Sequence, residues 1–423
     1  MRRKYTYAIS NEKFIEQLLF WSEKFQESSL LISNNNSENF AALVAVGCVK
    51  SISPTENSFS ELKLFHDENK DWMFGYLSYD LKNEVENLTS QNTDNLHFPK
   101  MMFYIPETIF KIKGQEVFVE SILKKNEIDT YFSEINNQEI ELKYSKITLK
   151  SRETKEEYLS KITKIKKHIQ LGDIYEMNYC QEFYSEGKDI NPRVVFSNLN
   201  KKNNSPFSVF FQWRGLHLLC SSPERYLQKK GNKIISQPIK GTRKRGGNIE
   251  EDLILKNELL NSEKERAENV MITDLVRNDL SKTAKKGSVN VKELFGIYTF
   301  DNVHQMITTI ESELKENFHF TDILATTFPM GSMTGVPKIK AMELIEKYEN
   351  QKRSLFSGAF GYITPEGNFD FNVVIRSILY NKLNRYVSVM AGGAITINSD
   401  ELEEFEESEL KAKAMLDVLK YEK

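Results

Sequence analysis

A lysine closing a short apolar run, Gln237-Pro238-Ile239-Lys240-Gly241-Thr242, has the setting that most suggests chemistry. Flanked by Pro, Ile and Gly, it is not placed like a solvated surface lysine. Desolvation disfavours an ammonium and makes the neutral amine, a nucleophile, accessible. Gly241 lets a backbone N–H approach a ligand, and Thr242 adds a hydroxyl donor. An ordinary strand-to-loop turn accounts for the same residues. Upstream, in Ser222-Pro223-Glu224-Arg225, stands a glutamate, and a hairpin folded about Gly231-Asn232 sets Glu224 almost opposite Lys240. Directly opposed residues have Cβ atoms about 5 Å apart, so carboxyl and amine could share one substrate or form a cross-strand salt bridge.

Paired carboxylates offer a second kind of chemistry. Glu265 and Glu268, in Ser262-Glu263-Lys264-Glu265-Arg266-Ala267-Glu268, lie three apart on one helix face, and Ser262 with Glu265 also fits a capping box. Asp400 to Glu409 holds seven acidic residues and no basic one, with Glu404 and Glu407 at the same spacing. Such a run is commonly a solvated helix face. Two pairs converging from two helices would instead make a hard, all-oxygen site of the kind that suits Mg²⁺. Phe328 to Lys338, dense in Gly, Pro and hydroxyls and containing Ser332, reads as a loop entering a helix N-terminus, where anions bind. His304 is one of only six histidines, most of which are structural when isolated. Arg376, within an apolar strand from Phe371 to Leu379, needs a partner if buried, and a carboxylate ligand would serve.

These residues need a frame. The 423 residues, 40% hydrophobic and 28% charged, describe a globular protein able to bury a sizeable core. A net charge of −3 is not that of a nucleic-acid binder. Lys240 to Arg245 carries four cations in six residues, which permits a non-enzymatic nucleic-acid patch, but stacking aromatics are missing around it. Cys48, Cys180 and Cys220 have neither metal-ligand nor disulfide spacing, which suits a reducing cytoplasm. The basic Met1-Arg2-Arg3-Lys4 is followed by no apolar segment, and no run reaches membrane-spanning length.

Residues 11–25 carry a helical apolar period, and strands are expected at 28–32, 41–49, 72–79 and 101–112. Ser33 to Asn39 and Thr89 to Asn95 are polar loops. The spacing predicts a sheet-rich scaffold over residues 1–150, then a boundary near Lys150 and a catalytic part over 151–423. There Thr154-Lys155-Glu156-Glu157 caps a helix with Tyr158, Ile162, Ile165 and Ile169 on one face, and Asp173 to Gln181 reads as a strand.

Together, Ser-Pro-Glu-Arg, Pro-Ile-Lys-Gly-Thr, Lys-Glu-x-Ala-Glu-Asn-x-Met, Asp-Leu-x-Arg-Asn-Asp, Gly-Ser-x-Thr-Gly-x-Pro-Lys, Ser-Gly-Ala-x-Gly-Tyr and the late Glu-x-x-Glu resemble the chorismate-utilising enzymes. The resemblance covers about 154–418; before residue 145 it is confined to Gly75-Tyr76 and Tyr79-Asp80. It implies the α+β fold of that family, a large antiparallel-sheet sandwich with outer helices in two similar, interleaved halves. Within the family, anthranilate and isochorismate synthases resemble Pro-Ile-Ala-Gly-Thr at this point, whereas aminodeoxychorismate-forming members carry a lysine, as Lys240 does here. Asn269, where anthranilate synthases tend to have His, points the same way; anthranilate synthesis is the alternative.

The resemblance implies that Lys240 adds to C2 of chorismate while Glu224 protonates the leaving C4 hydroxyl. Ammonia then takes C4 and expels the lysine, giving 4-amino-4-deoxychorismate, a precursor of 4-aminobenzoate and folate. It implies Mg²⁺ on Glu268 and Glu407, with Glu265 and Glu404 supporting. Arg376 and the amides near Gly392-Gly393 would hold the enolpyruvyl carboxylate, with Ser332 and Thr242 nearby and Gly241 beside the lysine. His304 matches the family's active-site histidine. The sequence lacks a Gly-x-Cys-x-Gly glutaminase nucleophile, so a separate glutamine amidotransferase subunit is the implied ammonia source. Burial beside Pro238 and Ile239, with Mg²⁺ and Arg376, is expected to lower the Lys240 pKa. Glu176 stands where isochorismate-forming relatives place a lysine base, and Phe356 where relatives often have Tyr. Asn204-Ser205-Pro206-Phe207 resembles half of a tryptophan pocket whose other half, Ser29 to Ile32, lacks the expected acidic residue.

Overall fold

The computed structural model describes residues 2–9, 11–34, 40–141, 146–301 and 303–420. Residues 35–39 of the Ser33 to Asn39 loop lie outside them. Among the described residues, two large sheets are built entirely of antiparallel strand pairs, one of twelve strands and one of ten. The first passes through Ala42–Val46 and Glu27–Ile32 to Phe207–Trp213, Leu216–Ser222 and Ser377–Asn381, and on to Tyr386–Ile395 and Glu176–Glu186. The second starts at Ile239–Lys244 and runs through Val303–Glu313, Lys233–Gln237, Arg225–Lys230, Phe369–Val373 and Ala359–Ile363 to Met73–Leu77 and Met101–Ile105.

One core fills the space between the sheets, with Leu43, Tyr76, Phe103, Val209, Leu218 and Phe371 among its members. A second lies on the outer face of the first sheet, where Phe14, Trp21, Phe132, Val194, Met415 and Leu419 come largely from helices. Helix Lys155–Gln170 illustrates the local logic. The Thr154 hydroxyl accepts from the Glu157 amide, Glu157 accepts from the Thr154 amide, and Tyr158, Ile162 and Ile165 are buried.

The two segments on either side of residue 150 do not have separate sheets. Ser29 lies opposite Phe211 in the first sheet, and Gly75 opposite Gly361 in the second. The run from Phe371 to Leu379 is not one strand, as expected, but two. Phe369–Val373 belongs to the second sheet and Ser377–Asn381 to the first, so Arg376 sits in the crossing with φ +51°. Two largely buried strands joined by three residues cannot be told from one by pattern alone. No helix of the described residues is long and apolar enough to cross a membrane.

Beneath the crossing the layers are tied by a buried charge pair. The Arg353 guanidinium meets Glu349 Oε1 at 2.6 Å, both side chains being 1% exposed. It also donates to the carbonyls of Met333 and Asn178, while Glu349 Oε1 accepts from the Cys180 amide. Removing one partner strands a buried charge, whereas replacing both does not. Arg353→Met is therefore expected to lower the unfolding free energy by about 3–5 kcal/mol. Paired with Glu349→Leu it should do less damage than alone, as read by urea denaturation.

Candidate active site

Where the two sheets approach at their ends, a cavity of about 600 Å³ opens, lined from the second sheet by Lys240, Gly241 and Thr242 and from the first by Gly392 and Gly393. Helices Glu263–Ser281 and Glu401–Lys420 present Glu265, Glu268, Glu404 and Glu407 to it. Glu224, Ser332 and Arg376 complete the set. Residues as far apart in sequence as Glu224 and Glu407 thus share one chamber because strands of both sheets contribute to its wall.

Lys240 is 7% exposed, and its ammonium donates to Glu176 Oε1 at 2.6 Å. The hairpin reading needs correction here. Arg225 pairs with Gln237, but a register shift intervenes before Gln228 pairs with Ile235, and the strand ends at Pro238. Lys240 belongs to the next strand, which pairs with Val303–Glu313, so its ion pair is with Glu176 and not with Glu224. A second correction concerns its charge. Burial by itself disfavours the ammonium, but Glu176, Glu268 and Glu224 surround it, and their fields hold Lys240 above the ordinary lysine value.

Glu224 has the opposite balance. Burial pushes its carboxyl up to about 7, against the opposing pull of the Ser332 hydroxyl, the Lys240 charge and the Ile239 amide. Burial likewise raises Glu268 to about 7, with Glu176 and Glu265 adding to the rise and Lys240 opposing it. Glu407 responds differently. Its burial is more than offset by Lys411, Lys264 and Lys240, so it lies below the usual carboxylate value.

The backbone permits this crowding at two glycines. Gly241 has φ +88°, and a Cβ there would meet Leu259 at 2.9 Å and Glu265 Oε2 at 3.0 Å. At Gly393 a Cβ would come within 2.9 Å of Glu404 Oε2. Ser262 caps the helix that carries Glu265 and Glu268, so the capping and cavity readings of that segment hold together.

The four glutamates converge without being a finished metal cage. Among the described residues, no three of them bring carboxylate oxygens within 4.8 Å of one another. Lys264 is bound to Glu404 at 3.2 Å and Lys411 to Glu407 at 2.7 Å. Glu268 Oε1, buried and without a hydrogen-bond partner, is the free donor. An all-carboxylate set with one such oxygen fits Mg²⁺, which takes few protein carboxylates and completes its shell from water and ligand.

Arg376 forms no ion pair among the described residues, and burial lowers its pKa while Glu407 opposes the fall. His304 is the residue the structure does not bring in. It is 1% exposed, with its imidazole between Asp252 Oδ1 at 2.9 Å and Thr299 Oγ1 at 3.0 Å. Strand alternation turns its neighbours Val303 and Gln305 to the cavity instead. Sequence reasoning also passed over Lys264, Lys411, Gln305 and Asn178 in the wall. For Lys411 the signal was its position four residues after Glu407 on a helix.

Residues 17–417 match the family described as chorismate binding enzyme. An aminodeoxychorismate synthase component 1 from Bacillus subtilis (strain 168) is 32% identical over 356 residues, covering 81% of this chain and 75% of that protein. An anthranilate synthase component 1 from Aquifex aeolicus (strain VF5) is 32% identical over 383 residues, covering 84% and 76%. In fold, the chain is similar to anthranilate synthase component I from Streptococcus pneumoniae TIGR4, with a TM-score of 0.79, 23% identity, and coverage of 91% of this chain and 94% of that one.

The raised carboxyls generate a stability prediction. Glu224 and Glu268 titrate near 7 when folded and near 4.3 when unfolded, so the folded state binds more protons between those values. Their contribution is present below pH about 4.3 and is lost as pH rises to about 7. Each adds a slope of up to about 1.4 kcal/mol per pH unit in that window. Glu224→Gln removes one share, so the decline in unfolding free energy from pH 5 to 7.5 should be shallower than in the parent.

Proposed function

Since the chain belongs to the chorismate binding enzyme family, we propose that it is component 1 of an aminodeoxychorismate synthase, converting chorismate and ammonia to 4-amino-4-deoxychorismate. The observation that carries this reading is a buried lysine, Lys240, in a cavity that also holds a protonatable carboxyl, Glu224. An acid that keeps its proton at neutral pH can hand it to the departing C4 hydroxyl, while an amine in the same cavity adds at C2 and the ring double bonds shift between the two carbons. Two easier allylic displacements then replace one hard substitution. Anthranilate synthesis is the second reading, since relatives of that name are equally similar. It calls for ammonia rather than a protein amine at C2, and Lys240 occupies that side of the cavity.

In this reading Arg376, half-buried and without an ion pair among the described residues, binds the enolpyruvyl carboxylate beside Gly392 and Gly393. Glu268 and Glu407 hold Mg²⁺, with Glu265 and Glu404 in support; the ion neutralises the ring carboxylate of the substrate when bound. Lys264 and Lys411 keep the acidic walls from repelling each other until substrate arrives. Ammonia comes from a separate glutamine amidotransferase subunit, and the product leads to 4-aminobenzoate and folate. The three free cysteines agree with a cytoplasmic setting.

The testing experiment incubates the purified chain with chorismate, Mg²⁺ and ammonium and identifies the product by mass and by conversion with a separate lyase. The 4-amino product is expected, dependent on ammonium, not formed from glutamine alone, and lost in excess EDTA. A 2-amino product would favour the anthranilate reading.

Lys240→Ala is expected to lose the 4-amino product by orders of magnitude while still binding chorismate. Lys240→Arg should do no better, because guanidinium stays protonated. With ammonia withheld, mass spectrometry of the parent should find chorismate-derived mass at Lys240. Near-parental turnover by Lys240→Ala would remove the lysine from the mechanism.

A further inference from the structure

The carboxylates that hold Lys240 in its charged form create a difficulty for a nucleophile. An ammonium has no lone pair, so its proton must have somewhere to go when substrate binds. Three carboxyls face it: Glu224, Glu268 and Glu176. Glu224 must keep its own proton for the leaving hydroxyl. Glu268, which lines the cavity, would be engaged by the metal in this reading.

Glu176 is left. It is 1% exposed and forms no part of the cavity wall, touching the chemistry only through the 2.6 Å hydrogen bond from Lys240 Nζ to Oε1. Among the described residues its Oε2 is buried with no hydrogen-bond partner, so the shared lysine proton is the one hydrogen bond the carboxylate makes there. Its position is fixed by the backbone on both sides. Glu176 opposes Val336 on the strand that follows Ser332, and the Lys240 strand is held by Val303–Glu313. Neither partner can swing away without breaking a ladder.

Building on the synthase reading, we propose that Glu176 is the proton acceptor that converts Lys240 from ammonium to nucleophile. One Nζ–H bond breaks toward Glu176 as the Nζ–C2 bond forms. The C4–O bond breaks with the Glu224 proton on its oxygen, so the hydroxyl departs as water. When ammonia attacks C4, Lys240 leaves as a neutral amine and recovers its proton from Glu176. The new ammonium at C4 returns one proton to Glu224. Both carboxyls and the lysine end as they began, and the net change is chorismate plus ammonia to aminodeoxychorismate plus water.

The test compares Glu176→Gln and Glu176→Asp with the parent, in ammonium-dependent assays from pH 6.5 to 9.5. Glu224, Glu268 and Glu407, which act on the pair, and Glu265, Lys264 and Lys411, which act on Glu268 and Glu407, are unchanged in both variants, so differences between profiles belong to Glu176. Glu176→Gln is expected to lose about 10²–10⁴-fold in kcat at neutral pH, with the chorismate KM within about threefold. Its rate should keep climbing at high pH, where solvent takes the lysine proton. Glu176→Asp retains a carboxylate and the fold, losing less in kcat and keeping the parental profile shape. A Glu176→Gln variant as fast as the parent or faster overturns the proposal, since a mere counter-ion that stabilises the ammonium frees more amine when removed. So does a change in KM alone, or an Asp profile that follows the Gln one. A parent that makes no 4-amino product overturns the synthase reading itself.

Discussion

The site depends on one buried positive charge shared between two sheets. Lys240 lies on the terminal strand of the second sheet, and Glu176 on a strand near the end of the first. Taking both ions out of water costs several kcal/mol each, and only close geometry with further opposite charge recovers it. The surrounding residues follow from that need. Glu224 and Glu268 add negative field around the lysine, and their own burial then makes each harder to ionise. The lysine is held charged and two carboxyls are held near half-protonation by the same mutual exclusion of charge. That combination makes an acid available at neutral pH.

The acidic helices obey the same constraint at longer range. Four glutamates on two converging helices would repel each other, and Lys264 on Glu404 and Lys411 on Glu407 are partly exposed counter-ions at the rim. Gly241 and Gly393 are the positions at which backbone comes close enough to carboxylate oxygens that a side chain could not fit. Around the cavity, the sheet ends and the two helices are thus fitted by charge and close approach, while Ile272, Val276, Met415 and Leu419 anchor the same helices in the apolar cores.

Local patterns in the sequence carried much of this. The helix-spaced pairs Glu265/Glu268 and Glu404/Glu407, and the lysine before Gly241-Thr242, all face one cavity because a three-residue spacing fixes a helix face whatever the fold does. What pattern could not carry was tertiary. Glu176 and Lys240 are 64 residues apart, and nothing between them signals the pair. The register shift after Arg225 broke a turn-centred count that assumed a regular ladder. Arg376 looked like a strand residue because the apolar run continues through Val373, Val374 and Ile375 into Ile378 and Leu379 across the crossing. His304 matched a motif, but strand parity put its ring against Asp252.

The joining of early and late strands has a consequence in time. Met73–Leu77 pairs early with Met101–Ile105 but finds its second neighbour in Ala359–Ile363, and Glu27–Ile32, paired with Ala42–Val46, finds its second in Phe207–Trp213. A ribosome releasing this chain N-terminus first holds the second sheet unfinished until more than four-fifths of the protein has emerged. Until then Met73–Leu77 offers an apolar strand with one open edge, the kind of surface on which nascent chains aggregate. A topology that brings distant residues to one chamber thus delays its own completion, and production of this protein is governed by how well that waiting strand is sheltered during synthesis.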